Sequence, residues 1–319
     1  MNNPIQWKYS KVCIVGAGLV GSTFAYALAQ SGLASEIALI DRNKELMEGQ
    51  VLDLAHGLPY FPTVDIHRGD SQDFKDSQVI VVTAGTRQSP GETRLALLQR
   101  NSSIIEAIVD DIVAQQSQAI LVVVSNPVDV LTYVALKRSG WDRGRVIGSG
   151  TVLDSARFRY LLSRHCNVDV RNVHAYILGE HGDSEVAAWS MAHIAGMPID
   201  EYCPVCEGCE NWEEERSRIA REVVHSAYHI IDYKGATYYA IGLAVVSIVG
   251  AILRNQHSVL TVSTLLQGEY GVEDVCLSVP CIISGEGVEL IVEARLAPEE
   301  RDALLYSGSV LRKALVELG

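Results

Sequence analysis

A five-residue apolar run, Lys11 to Val15, passes directly into Gly16-Ala17-Gly18-Leu19-Val20-Gly21. An Ala- and Leu-rich stretch of helical period follows and runs to Ser31. A G-x-G-x-x-G placed between a strand and a helix constrains the fold more than any other feature of the chain. The first glycine permits the tight turn, the second lets a pyrophosphate approach the backbone, and the third lets helix pack on strand. The partial positive charge of the helix N-terminus then faces the phosphates. The next apolar run, Ile37 to Ile40, ends in Asp41. A carboxylate at that point accepts hydrogen bonds from ribose hydroxyls and repels a 2′-phosphate, which favours NAD over NADP. Arg42, beside it, could instead receive a 2′-phosphate.

Further continuous apolar runs, Val79 to Thr83 and Ile120 to Val124, alternate with helical stretches at Leu95 to Gln116 and Pro127 to Ser139. Strands buried on both faces and separated by crossover helices predict a Rossmann-type parallel sheet in an α/β fold. Beyond about Gly150 the pattern changes. Leu153 to His165, Ala236 to Leu253 and Pro298 to Leu318 read as helices, and Trp212 to Tyr233 as a charged amphipathic one. Val173 to Leu178 reads as one strand, while Leu260 to Gly268 and Val275 to Ile283 read as an antiparallel pair joined through Gly268-Glu269-Tyr270-Gly271. At 319 residues the chain exceeds what a single core usually fills. We therefore expect two domains: a dinucleotide-binding one over 1–150 and an α+β one with antiparallel strands over 151–319.

A net charge of −13 without a segregated basic face disfavours nucleic acid. No uncharged apolar stretch is long enough to span a bilayer, and Met1 to Lys11 lacks the apolar block of a secretory signal. The expectation is a cytoplasmic protein with no membrane partner. Seven cysteines, an odd number, fit free thiols in a reducing compartment. Cys203, Cys206 and Cys209 form C-x-x-C-x-x-C, but a closed tetrahedral site needs a fourth ligand and the segment reads as a loop, so no metal is expected.

Chemistry concentrates in Gly179-Glu180-His181-Gly182-Asp183-Ser184, where one histidine stands among glycines and acids. An imidazole with an ordinary pKa near ~6.5 gives or takes a proton near neutrality, and glycines let a substrate approach closely. Three more segments belong with it: Arg87-Gln88-Ser89-Pro90-Gly91-Glu92-Thr93-Arg94, Ser125-Asn126-Pro127, and Leu153-Asp154-Ser155-Ala156-Arg157. Taken alone, each is ordinary; Asp154 and Arg157, three apart on a helix, would usually form a solvated pair.

In this order and spacing, together with the glycine fingerprint, the segments closely resemble the L-lactate/malate dehydrogenase family over nearly the whole chain. The L-lactate branch is the better match. The resemblance implies an NAD-dependent oxidoreductase that interconverts pyruvate and L-lactate at the end of anaerobic glycolysis. It implies His181 as general acid/base, Asp154 holding the far ring nitrogen, and Arg157 forking the substrate carboxylate. Arg94 would polarise the reacting carbonyl from a mobile loop.

Asn126, ahead of a cis Pro127, would contact nicotinamide ribose or substrate, and Thr237 would line the substrate pocket. Gly16, Gly18, Val20, Gly21, Asp41, Arg42, Ala84, Gly85, Arg87 and Ile241 would surround the dinucleotide. Gln88 stands where the family's malate enzymes carry an arginine for a second carboxylate. A neutral amide there leaves such a group unpaired, which favours pyruvate. A one-residue shift would present Arg87 instead, so malate dehydrogenase remains the near alternative and a non-catalytic dinucleotide-binding protein the distant one. Arg159 and His174 match a pair that binds fructose 1,6-bisphosphate in many bacterial members, and the resemblance implies a homotetramer.

Overall fold

The structure is a computed structural model that describes residues 9–86, 91, 93–203 and 211–318. The chain starts as β1 (Lys11–Val15), α1 (Leu19–Ser31), β2 (Glu36–Ile40), α2 (Lys44–His56), β3 (Asp65–Arg68) and β4 (Val79–Val82). It continues through α3 (Arg94–Ala114), β5 (Ile120–Val123), α4 (Val128–Ser139) and β6 (Val146–Gly148). All five residues of β1 and all four of β4 and of β5 are buried, as strands covered by helices on both faces must be. β3 runs parallel beside β2, as do β2 beside β1, β1 beside β4, β4 beside β5 and β5 beside β6. The strand order 3-2-1-4-5-6 reverses direction between β1 and β4, and the crevice outside the carboxyl ends of those strands is where such sheets take ligands.

The second half contributes α5 (Val152–His165), the two-residue strands β7 (Val173–His174), β8 (Ile177–Leu178), β9 (Val186–Ala187), β10 (His193–Ile194) and β11 (Met197–Pro198), and the short α6 (Ile199–Tyr202). Then come α7 (Trp212–Lys234), α8 (Tyr239–Leu253), β12 (Ser258–Gln267), β13 (Glu273–Ser284), β14 (Gly287–Ile291) and α9 (Pro298–Leu318). The antiparallel pair β12–β13 is present, but it does not form a sheet of its own. β12 meets β6 antiparallel at Ser263 and Gly148, so among the described residues one nine-stranded sheet runs from β3 to β14.

Val173 to Leu178 is not one strand. It splits into β7, paired with β10, and β8, paired with β9, with Ala175 and Tyr176 between them outside either small sheet. Only the pairing partners distinguish one strand from two here.

One apolar core follows the large sheet from Val12 to Leu311. A smaller one gathers Phe158, Leu162, Trp189, Ile219 and Val223 where α5 and α7 pack on the short strands. α8 lies against α1 at Gly242, where a Cβ would make tight contacts, 3.1 Å to the Thr23 side chain and 3.3 Å to the Phe24 backbone nitrogen.

Candidate active site

The loop from Gly179 to Glu185 joins β8 to β9, and four elements fix its position. Gly179 exchanges backbone hydrogen bonds with Ser278 of β13 at 2.9 and 3.1 Å, in a positive-φ conformation that suits glycine. The Glu180 N–H donates to Ser307 Oγ of α9 at 2.7 Å. The His181 N–H donates to Asp129 Oδ2 of α4 at 2.8 Å. The imidazole Nδ1 lies 2.6 Å from Asp154 Oδ2 of α5.

Asp154 is buried, with 1% of its side chain exposed, and its other oxygen accepts from Arg157 Nη1 at 2.6 Å. The pair is therefore not a solvated surface couple. One turn of α5 brings the carboxylate under the guanidinium, and the loop brings the imidazole to the opposite oxygen.

Burial alone would raise the Asp154 pKa. The charge and hydrogen bond of His181, followed by those of Arg157, outweigh it and hold the carboxylate below its usual range. For His181 burial acts downward, but the charge and hydrogen bond of Asp154, with further charge from Asp129, push the imidazole up to about 9. It is an imidazolium at neutral pH. Since Nδ1 is held by Asp154, the exchangeable proton sits on Nε2.

His181, Asp154, Arg157, Arg94 and Asn126 line one cavity of about 560 Å³, so the residues singled out in the sequence as substrate-handling converge. Arg94 opens α3 and is exposed, and Thr93 caps that helix by accepting from the Ala96 N–H at 3.1 Å. Asn126 precedes a cis peptide to Pro127. Thr237 does not line this cavity; it is half-buried on an adjoining one that shares Arg157. Arg87 and Gln88 lie outside the described residues.

Sequence reasoning passed over three residues that serve this cavity. Asp129 is buried in the first turn of α4 and anchors the catalytic loop; burial pushes its pKa up to about 6 despite the His181 N–H. An acid at a helix N-terminus is so common that it gave no signal. Asn101 is buried in α3 and donates to the Asn126 carbonyl at 3.1 Å, fixing that loop. Glu185 lines the cavity directly.

A second cavity, of about 600 Å³, opens at the crevice between β1 and β4 and is lined by Gly16, Gly18, Asp41, Arg42, Ala84 and Gly85. A Cβ on Gly21 would lie 1.8 Å from the Gly16 oxygen, so the third glycine is needed for the turn to close on the helix. A Cβ on Gly18 would meet nothing within 4 Å, and α1 has no side-chain cap there. The start of α1 is thus left without a side-chain cap beside open space, which suits a pyrophosphate at a helix N-terminus.

Asp41 accepts from the Ala17 N–H at 2.7 Å and the Asn43 N–H at 2.8 Å, which orients the carboxylate at the end of β2. These residues fit a dinucleotide. Val20 and Ile241 do not line this cavity; they lie on α1 and α8, the packed pair beside it. Ser125 Oγ donates to the Ala84 carbonyl at 2.5 Å and ties the turn after β4 to the loop carrying Asn126.

Two family descriptions match in succession: the NAD binding domain of lactate/malate dehydrogenases over residues 10–148 and their alpha/beta C-terminal domain over 151–318. The chain belongs to the lactate/malate dehydrogenase family. Within that family, the L-lactate dehydrogenase of Treponema denticola is 59% identical over 98% of this chain and 99% of its own length. A lactate dehydrogenase from a Medee basin deep-sea metagenome superposes with a TM-score of 0.95 at 44% identity, covering 97% of this chain and 99% of that one. The minor L-lactate dehydrogenase of Enterococcus mundtii, in its ligands-bound form, gives 0.94 at 44% identity over 97% and 98%. As a family member the chain carries an NAD-binding domain, and its fold is the α/β sheet with an antiparallel extension described above.

Arg159 Nε donates to the Ser155 carbonyl at 3.3 Å, and no hydrogen bond joins it to His174 among the described residues. Arg159 is half-buried on α5, where burial lowers its pKa, and His174 is exposed on β7. Of the three spaced cysteines, Cys203 is buried with His165 Nε2 3.2 Å from its sulfur. Cys206 and Cys209 lie outside the described residues.

Proposed function

We propose that this protein is an NAD-dependent L-lactate dehydrogenase whose chemistry is carried by His181, Asp154, Arg157 and Arg94. The observation behind the assignment is the buried chain Arg157–Asp154–His181, closed by two 2.6 Å contacts at the edge of a cavity. When bound, the nicotinamide supplies the electron pair as hydride. His181 supplies the proton: Nε2 releases it to the substrate carbonyl oxygen in reduction and takes it from the hydroxyl in oxidation. Asp154 keeps the ring in one tautomer and favours its charged form. Arg157 spends one N–H on Asp154 and offers the rest of its planar fork to the substrate carboxylate. Arg94 would set a positive charge beside the carbonyl oxygen as negative charge develops there.

Asn126 and Thr237 would complete the substrate end. Around the dinucleotide we place Gly16, Gly18, Val20, Gly21, Asp41, Arg42, Ala84, Gly85, Arg87, Asn126 and Ile241. The boundary between the dinucleotide and substrate parts is proposed at residue 150. Pyruvate over oxaloacetate rests on Gln88, a neutral side chain where a second carboxylate would need a cation.

Among the described residues no helix is long and apolar enough to cross a membrane. We place the protein in the cytosol, at the fermentative end of glycolysis. A homotetramer is supported by exposed apolar side chains on α2, α7 and α8, among them Leu52, Ile231, Tyr233 and Leu243. Fructose 1,6-bisphosphate as effector is supported by the match of Arg159 and His174 to the family's pair alone. The decisive assay follows NADH absorbance on adding pyruvate, then oxaloacetate, to the purified protein. Rapid loss with pyruvate is expected; a clear preference for oxaloacetate would make it a malate dehydrogenase, and no turnover with either would leave a dinucleotide-binding protein.

A further inference from the structure

Glu185 ends the catalytic loop and has no part in the chemistry above. One of its carboxyl oxygens lies within 4.8 Å of ligating atoms of both His181 and Asp154. Its Oε1 is buried and has no hydrogen-bond partner among the described residues. Three such groups could in principle hold a cation, but both Asp154 oxygens are already taken, by Arg157 Nη1 and His181 Nδ1. The cation this arrangement leaves room for is a proton on Glu185.

The charges around it decide when that proton is kept. Asp154 and Arg157 of α5 and His181 and Asp183 of its own loop are its principal electrostatic neighbours. On the remaining walls stand Arg94 of α3, Asp129 of α4, Tyr228 of α7, and Glu180 and Glu317. Asp183 is exposed and accepts from the Tyr228 hydroxyl at 2.8 Å, and Arg94 is exposed as well. Inside, the cations of Arg157 and His181 are matched by the buried carboxylates of Asp154 and Asp129, so the set is neutral before any substrate arrives. An ionised Glu185 would add an unmatched anion where the carboxylate of a 2-oxo acid must also sit. Burial first, then the negative charge of Asp154, raise the Glu185 pKa to about 8, against the opposing pull of His181 and Arg157.

We propose that Glu185 is a positioning residue that stands in the resting site as a neutral carboxylic acid, and that its ionisation and the binding of the substrate carboxylate exclude each other. Binding to the ionised form therefore takes one proton from solvent onto a Glu185 oxygen, with no other bond made or broken. The inference rests on the 2-oxo-acid reading of the cavity. It predicts a loss of substrate affinity at alkaline pH that is separate from the deprotonation of His181.

The test is a titration of the NADH-loaded enzyme with oxamate, the unreactive amide analogue of pyruvate, followed by NADH fluorescence between pH 6 and 10. Calorimetry in buffers of different ionisation enthalpy counts the protons taken up. In the wild type the dissociation constant should rise more steeply than about tenfold per pH unit at the alkaline end, as two ionisations require. Glu185→Gln should bind within about threefold of wild type at pH 6.5, rise no more steeply than tenfold per unit, and take up fewer protons at pH 8.5. Glu185→Asp should restore the second ionisation.

Superimposable pH curves for wild type and Glu185→Gln would overturn the proposal, as would an equal loss of affinity by the variant at every pH, which is the mark of a structural role. If Glu185→Gln does not fold, the wild-type curve decides alone, since a slope of tenfold per unit or less leaves no second group. Failure of the wild type to bind oxamate at pH 6.5 would remove the 2-oxo-acid reading itself, and with it this inference.

Discussion

Asp154 Oδ2 and His181 Nδ1 are 2.6 Å apart although they come from different elements, a helix and a loop between two short strands. The carboxylate has no solvent to dilute its charge, so its effect on the imidazole is large. Asp154→Asn should lower kcat/KM for pyruvate by about 10²- to 10⁴-fold, the range for losing an oriented general acid. With the raising influence gone, the His181 pKa falls from about 9. The protonated form needed for reduction is then lost at lower pH, so the alkaline limb of the rate profile should move toward neutrality. A limb that stays in place would show that Asp154 does not set the proton affinity of His181.

The same pair predicts a stability effect. A folded pKa raised above the unfolded value of ~6.5 means stabilisation that is complete below that value and lost as pH rises through the folded pKa. Wild type should therefore lose Tm between about pH 6.5 and 9 relative to Asp154→Asn, and parallel Tm curves would contradict this.

Gly18 and Gly21 should separate binding from folding. Gly21→Ala places a methyl 1.8 Å from the Gly16 carbonyl oxygen, so the turn must open and Tm should fall, with overpacking of this kind costing about 1–3 kcal/mol. Gly18→Ala meets nothing within 4 Å, so Tm should hold while NADH affinity drops, because the methyl points into the space a pyrophosphate would fill. NADH fluorescence and thermal melts on both variants distinguish the outcomes.

Gln88→Arg should turn the preference toward oxaloacetate by supplying a partner for its second carboxylate. Comparing kcat/KM on both substrates checks it, and an unchanged ratio would release Gln88 from that role.

Fructose 1,6-bisphosphate should lower the pyruvate concentration needed for half-saturation in the wild type and leave Arg159→Leu unmoved. A wild-type curve that does not shift at neutral pH would leave Arg159 and His174 without a ligand.

At the amino end of β1, Lys11 is buried with Nζ 2.8 Å from Asp73, 2.9 Å from Asp76 and 3.1 Å from Glu36. Among the described residues, Lys11→Ala leaves Glu36 with only His67 and Asp73 with only the Asp70 N–H as partners, and should lower Tm with kcat/KM nearly unchanged. Burial alone would raise the Asp73 pKa, but the Lys11 hydrogen bond lowers it, so its stabilisation is present above its unfolded value and lost as pH falls through the folded one. Removing Lys11 should therefore move acid unfolding to higher pH.

The local elements were legible because their signals are local. Burial of β1, β4 and β5 on both faces appears as unbroken apolar runs, and the strand-turn-helix order of Lys11 to Ser31 carries the dinucleotide crevice with it. α9 spans Pro298–Leu318, as its period and its initial proline indicate. α2, β3, β6 and β14 escaped the reading because they are short or mixed in pattern.

By itself, the amino-acid order determined the parallel α/β half, the glycine turn, and the identity of the histidine, aspartate and arginines that meet at the cavity. Tertiary structure alone decided that β12 to β14 extend the parallel sheet through the one ladder pair of Ser263 with Gly148 of β6, and that Val173 to Leu178 divides between two sheets. It also decided that Asp129 and Glu185 face His181. Period and spacing report what a segment buries, whereas pairing partners and the charge environment of a carboxylate depend on residues far away in the chain, which only meet once the core has closed.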